Sequence, residues 1–247
     1  MAVRLFHRRP FGLTQSGVKL FAEIEPFFAG LAELANHVRG HAHQRLRVAA
    51  PAMILRDYLP RIFAGYKRRY PGFRLTLYDA NQASAEELLR KHEIDLAISE
   101  LEGKPATPIK SCILVRLPLV LVVPQKAPVR TVSDFLRRDA VFESLISLPP
   151  DEVISKHFHA GLKRLRLTWS PQIEVSSLEL IDLYTSLGFG VGLSIAVPGL
   201  KRKKGLRALP LRNFSPVDVA ALWIGDLSNL AATFLADIKK LATRLAP

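Results

Sequence analysis

The glycine run Gly188-Phe189-Gly190-Val191-Gly192 is the first place to look for nucleotide chemistry, because closely spaced glycines let a backbone wrap a phosphate. It follows a helical pattern rather than a strand and lacks G-x-G-x-x-G spacing, and no G-x-x-x-x-G-K-[ST] occurs in the chain. The run reads as a helix C-terminus and a tight turn into the strand pattern VGLSIA, with glycine supplying positive φ. Histidines at His37, His41 and His43, and again at His157 and His159, lack the cysteine pair or H-E-x-x-H frame of a metal site and read as solvated side chains. No G-x-S-x-G nucleophile elbow is present. The acidic pairs Glu86-Glu87 and Asp151-Glu152 fall at helix starts, where the macrodipole favours negative charge. No catalytic residue, metal ligand or cofactor is expected.

Two basic clusters remain. Lys201-Arg202-Lys203-Lys204, between Gly199 and Gly205, reads as a solvated loop or a phosphate-contacting patch. His7-Arg8-Arg9, in LFHRRPFGLTQSG, sits on an alternating pattern that turns at Pro10-Phe11-Gly12 and runs into a helix capped by Thr14 or Ser16. A short hairpin with cations at its tip can lie along a phosphate backbone, so His7, Arg8 and Arg9 are the candidate DNA contacts.

The elements that must position such groups follow from length and pattern. The chain has 247 residues, 49% of them hydrophobic and 23% charged, enough apolar material for a packed interior. Lys and Arg number 35 against 22 Asp and Glu, a formal charge of +13 that suits anionic partners. The one cysteine, Cys112, cannot form an internal bridge. The N-terminus is broken by basic residues and no apolar stretch is long enough for a membrane helix, so a cytoplasmic protein without membrane association is expected.

Leu20, Ile24, Phe27, Leu31, Leu34 and Val38 recur in steps of four and three, the period of a helix that zips against a second helix, ending near Gly40. An ordinary amphipathic helix kinked at Pro26 is the alternative. Beyond a boundary at 40–45, RLRVAA reads as a strand and Pro51 as a first helical position, followed by a helix from Ile54 to Tyr66. FRLTLYDA is a strand, Ser84 with Glu87 a capping box, and EIDLAIS a strand. SCILVRLPLVLVVPQ gives two extended runs that cross into a second unit. There Thr131 with Asp134 opens a helix, AVFESLISL is a strand, 155–165 a helix and QIEVSS a strand, and Ser176 with Glu179 forms a capping box. GLRALPL and DVAALWI are strands, and a last helix runs over 228–245. Two strand–helix–strand sets predict an α/β fold with parallel sheets.

LFHRRPFGLTQSG resembles the segment that closes the winged helix-turn-helix of LysR-type transcriptional regulators. LPRIFAGYKRRYPGFRLTLYDA, LLRKHEIDLAIS and LYTSLGFGVGLSIAVP are similar to further segments of that family, in family order, so the resemblance covers the chain. It implies a wing remnant over 1–16, a dimerising linker helix over 17–42, and an effector-binding domain over 43–247 similar to type 2 periplasmic-binding proteins. Lobe I would take 43–123 and 207–247 and lobe II 124–206, with hinges near 120–125 and 205–210. A homodimer or homotetramer is implied, with a small-molecule effector between the lobes. The family's recognition helix precedes the LFxR segment, whereas Met1 stands just ahead of Leu5-Phe6; the chain as given is expected to bind DNA weakly, through phosphates.

The resemblance also directs the effector site. Family members place hydroxyls where Pro51 and Met53 stand, so main-chain N–H groups of Ala52 and Met53 would hold an organic anion or a mixed polar and apolar effector. Asn81, Gln82 and Ser99 from one lobe and Ser147, Ser176 and Ser177 from the other would face it. His92 stands where the family has glycine before the aspartate strand. The competing readings are a solute-binding protein of the periplasmic class without DNA binding, which predicts a signal or anchor, and an enzyme on the same fold, which needs an acid–base constellation.

Overall fold

The computed structural model describes residues 4–24, 45–132, 135, 143–199 and 202–245. It opens on a hairpin in which β1 (Phe6–Arg8) and β2 (Phe11–Leu13) pair antiparallel, Phe6 opposite Leu13 and Arg8 opposite Phe11. Thr14 caps the helical run over 15–24, which we label α1. Its Oγ1 accepts from the Gly17 N–H at 3.1 Å and donates to the Arg4 carbonyl at 2.7 Å, tying hairpin to helix. Only glycine fits at 17, because a Cβ would lie 2.1 Å from the Leu5 carbonyl oxygen. Leu20 and Ile24 are exposed on α1. The later heptad positions Phe27, Leu31, Leu34 and Val38, with His37, His41 and His43, lie outside the described residues.

Ten further strands follow: β3 (Arg45–Ala50), β4 (Arg74–Asp79), β5 (Leu96–Leu101), β6 (Ile109–Leu117), β7 (Leu119–Pro124), β8 (Leu145–Ser147), β9 (Pro171–Glu174), β10 (Val191–Ile195), β11 (Leu206–Pro210) and β12 (Val217–Ile224). They form two five-stranded sheets, β4-β3-β5-β12-β6 in lobe I and β11-β7-β10-β8-β9 in lobe II. In lobe I, β3 runs parallel to β4 and β5, and β12 inserts antiparallel between β5 and β6. In lobe II, β8 runs parallel to β9 and β10, and β7 lies antiparallel between β10 and β11.

The crossings differ from the sequence expectation. β7 belongs to the second sheet, so the chain leaves lobe I at Pro118 rather than at 120–125; it returns at 211–216, past the expected 205–210, because β11 pairs with β7. Proline has no N–H to continue a ladder, which is why one long apolar run splits there. Of the expected lobe II start, Asp134 and 140–142 lie outside the described residues.

Lobe I carries α2 (Ala52–Asp57), α3 (Leu59–Phe63), α4 (Tyr66–Arg69), α5 (Gln82–Arg90) and α8 (Asn229–Leu245). The helix expected over Ile54 to Tyr66 is three short ones, because Pro60 cannot donate to the Arg56 carbonyl. Pro51 is the N-cap of α2 rather than its first residue. One sheet face, with Leu46, Val48, Ile98 and Val219, packs on an aromatic layer in which Phe63 stacks on Phe234 at 4.9 Å. The buried Tyr66 hydroxyl donates to Asp237 at 2.9 Å, and burial raises its pKa above the usual tyrosine range. The other face is small, Ala49, Ala97 and Ala220, so α5 approaches closely through Ala85 and Leu89. Asp95 pins β3, accepting from the Arg47 backbone N–H and its Nη2, both at 2.7 Å.

Lobe II carries α6 (Val153–Arg164) and α7 (Leu178–Ser186). Gly192 lets α7 onto the sheet, since a Cβ would lie 2.4 Å from Ile181 Cγ2. The glycine run is a helix stop: Gly188, at φ 83°, donates to the Thr185 carbonyl at 3.0 Å and Phe189 to Tyr184 at 3.2 Å. Arg202 is no solvated loop residue; it is largely buried, pairs with Asp182 at 2.9 Å and donates to the Ile195 carbonyl at 2.8 Å.

Local capping also departs from the sequence reading. Asn81 caps α5, accepting from the Ser84 N–H at 3.1 Å, and Ser177 caps α7, accepting from Leu180 at 3.3 Å. Glu86 and Glu87 lie beyond the first turn and pair with Arg90 and Lys91 one turn on, each at 2.7 Å. His92 ends α5 at φ 54°, with its N–H on the Leu89 carbonyl at 3.0 Å, a left-handed position that glycine occupies without strain. His92→Gly should therefore stabilise the fold by about 0.5–1 kcal/mol, raising the melting temperature by about 1–4 °C in thermal denaturation.

Candidate functional site

Parallel strands of an α/β sheet deliver ligand-binding loops at their carboxyl ends, and here β3, β5 and β8 all end at the junction of the lobes. Among the described residues, polar contacts bridge it. Arg56 on α2 reaches Glu179 on α7 at 2.9 Å while also holding Asp57 at 2.7 Å. Lys156 on α6 pairs with Glu102, just past β5, at 2.5 Å. Asn81 Nδ2 donates to Glu152, the N-cap of α6, at 3.2 Å. The Asp57 hydrogen bond and the Glu179 charge raise the Arg56 pKa further above its already high value, and the Arg56 hydrogen bond lowers that of Asp57. Solvent reaches these pairs, so each contributes about 0–1 kcal/mol and can break without unfolding a lobe.

At the junction lies a cavity of about 80 Å³ whose wall is mostly lobe I, with Met53, Ile54, Tyr58, Ile98, Leu114 and Leu241 among its residues, and is completed by Ile195, Val197 and Pro198 of lobe II. Among the described residues, Glu100 is the charged group that lines it. Burial pushes this carboxyl above the ordinary glutamate range; its own backbone N–H opposes the shift, and the Glu152 charge adds to it. No cationic side chain pairs with Glu100 among the described residues. A larger open hollow of about 400 Å³, lined by His159, Lys163, Arg166 and Trp169, is confined to lobe II, away from the junction.

The expected site residues distribute unevenly around this cavity. Met53 is on its wall, at the start of α2, where Pro51 accepts from Ile54 at 2.8 Å and leaves the Ala52 and Met53 N–H groups as first-turn donors. Asn81 is engaged as cap and bridge. Gln82 is tied down by Glu86 at 2.8 Å and by the Glu102 N–H at 2.7 Å. Ser99 is 1% exposed and its Oγ has no partner, but alternation along β5 sets it on the Ala97 face, opposite Ile98 and Glu100. Ser147 is buried and donates to the Leu148 carbonyl at 2.8 Å. Ser176 is exposed, and Ser177 is the α7 cap. At the other end of the chain, His7 and Arg9 are exposed on the hairpin of which Arg8 forms part.

Sequence reasoning passed over Glu100, Glu102, Arg56 and Lys156, and read Glu179 as a capping-box partner rather than as the acceptor of Arg56. An acid near the end of the apolar strand LAISEL was the available signal for Glu100. The bridging pairs join residues as far as 123 positions apart and carry no local pattern. The arrangement can bind a small apolar body beside one carboxylate. Among the described residues no group of His, Cys, Asp and Glu is placed to hold a metal, and no helix is long and apolar enough to cross a membrane.

Because folding raises the Glu100 carboxyl, its favourable contribution is complete below its ordinary value of 4.5 and is lost as pH rises through the raised value. Glu100→Gln cannot ionise. It should melt above the parent at about pH 8 and lose that advantage at about pH 4, in paired thermal denaturation curves; a pH-independent difference would contradict this account.

Comparison with known proteins agrees with this geometry. The LysR substrate binding domain family matches residues 39–242. The HTH-type transcriptional regulator CysB of Burkholderia cenocepacia is 24% identical over 225 residues, spanning 85% of this chain and 70% of that protein. Among solved structures, HinK, a LysR family transcriptional regulator from Pseudomonas aeruginosa, superposes with a TM-score of 0.68 at 20% identity, covering 95% of this chain and 83% of that one. The BenM effector binding domain, solved with its effector benzoate, gives a TM-score of 0.66 at 19% identity, covering 81% and 92%. The two-lobed effector-domain fold is thereby established, and the regulator reading prevails over the stand-alone solute-binding protein. The chain belongs to the LysR substrate-binding domain family and is the effector-binding part of a LysR-type transcriptional regulator.

Proposed function

We propose that this chain senses a small molecule in the cleft between its lobes and conveys its occupancy to DNA through the N-terminal hairpin and helix. The observation that carries the reading is a cavity that takes wall residues from both lobes, at a junction also spanned by breakable polar bridges. A ligand that contacts both walls favours whichever lobe spacing lets it touch them together, and so shifts the population of lobe arrangements. The regulator names of its relatives favour signalling over catalysis, and we take the chain as non-enzymatic and cytoplasmic.

Ala52, Met53, Asn81, Gln82, Ser99, Ser147, Ser176 and Ser177 are proposed as the polar surroundings of the effector, with Met53 in direct contact. The organic anion expected from the Ala52 and Met53 donors would share the cavity with the Glu100 carboxylate. The heptad at 20–38 supports pairing into a homodimer or homotetramer, and His7, Arg8 and Arg9 supply phosphate contacts. The wing residues position a protein on DNA without reading bases.

Two experiments test the reading. A panel of small organic acids and amines titrated against the chain should include a member whose saturation at about 100 times Kd adds about 2.7 kcal/mol of stability; a panel with no thermal shift at all would refute the sensor. In a salt series on duplex DNA, the two wing arginines, Arg8 and Arg9, hold the log–log slope to about −2 per chain, with little sequence preference. Tight, sequence-specific binding by this chain at physiological salt would overturn the wing account.

A further inference from the structure

The charges at the cleft are unequally satisfied. Arg56 is engaged by Asp57 and Glu179, Lys156 by Glu102, and Arg202 by Asp182. Glu100 lines the cavity with no cation paired to it among the described residues, and another carboxylate, Glu152, also disfavours its ionised form. A carboxylate removed from water without a partner destabilises the folded state and attracts whatever positive charge can reach it. An anionic ligand in the same space would be repelled by Glu100 and, further out, by Glu152.

We propose that the cleft takes a small cation, an amine or amidine on a short apolar body, with the Glu100 carboxylate as its counter-charge and Met53, Tyr58 and Ile98 packed around the body. The inference rests on the reading of this cleft as the effector site and names the chemistry of what enters it. The lining agrees: beside Glu100 it is aliphatic apart from the Tyr58 ring, which suits a short apolar body. The raised carboxyl supports the same ligand, because a bound cation restores the ionised form that burial disfavours.

The test compares n-butylamine, 1-butanol and butanoate, of equal chain length but positive, neutral and negative at neutral pH, by calorimetric titration of the whole chain and of Glu100→Gln. Butylamine should bind the parent at least about tenfold more tightly than the other two, and Glu100→Gln should lose about tenfold for butylamine while leaving butanol within about twofold. Melting of Glu100→Gln at or above the parent temperature establishes that the variant is folded. Butanoate binding as well as butylamine, or butylamine binding unaltered in Glu100→Gln, overturns the cation inference and leaves the sensor reading intact. Absence of binding by all three up to about 10 mM, a generous ceiling for weak fragments, overturns both.

Discussion

A single residue separates the two sheets. Leu117 pairs with Val217 in the first and Leu119 with Ile195 in the second, and Pro118 between them has no N–H with which either ladder could continue. The Pro118 carbonyl accepts from Ala196 at 2.8 Å and the Leu119 carbonyl from Leu211 at 2.9 Å, so the outgoing and returning crossings are stitched side by side. The return is held from lobe II. Gly161 on α6 leaves room for the Phe214 ring, where a Cβ would sit 2.1 Å away, and Phe158 stacks on the same ring at 5.4 Å. Arg164 donates to the Asn213 carbonyl at 3.3 Å, and His157 Nδ1 lies 2.9 Å from the Pro216 carbonyl.

That constraint leaves the lobes one place to differ. With the crossings short and packed, relative motion must open or close the cleft at the opposite side, where the contacts are Arg56–Glu179, Lys156–Glu102 and Asn81–Glu152. These are exposed pairs, each contributing little, whereas the buried apolar interior runs continuously from lobe I into lobe II. Surface pairs of this kind can exchange without loss of the shared interior, so a ligand that contacts both lobes can bias their arrangement. The same logic accounts for glycine at 192 and small alanines on the α5 face: close approach of helix to sheet makes each lobe stiff.

Much of the fold was legible because its signals are local. Alternation and apolar runs located β3, β4, β5, β6 and β12, and the pattern around Gly188 correctly read as a helix stop. Where local signals compete, the reading slipped: Asn81 outranked Ser84 and Ser177 outranked Ser176 as caps, because the true boundary depends on where the preceding strand leaves the sheet. The run 113–124 announced two strands but not their sheets, and β7 went to lobe II because its partners there, β10 and β11, come from far along the chain. The candidate hydroxyls were chosen as donors, yet several are occupied by neighbours that only folding supplies, such as the Leu148 carbonyl on Ser147.

The sequence by itself determined the α/β class, the N-terminal hairpin and the two sheet-bearing units, since each depends on periodicity or spacing within a few residues. Tertiary structure alone decided which carboxylate faces the cavity and which cations are already neutralised. Those outcomes depend on side chains from β5, α2, α6 and α7 meeting across the lobes, and electrostatic satisfaction is a property of distance in space. Glu100 illustrates the difference: along the chain it is one acid among 22 Asp and Glu, and in the fold it is a carboxylate on the cavity wall with no paired cation among the described residues.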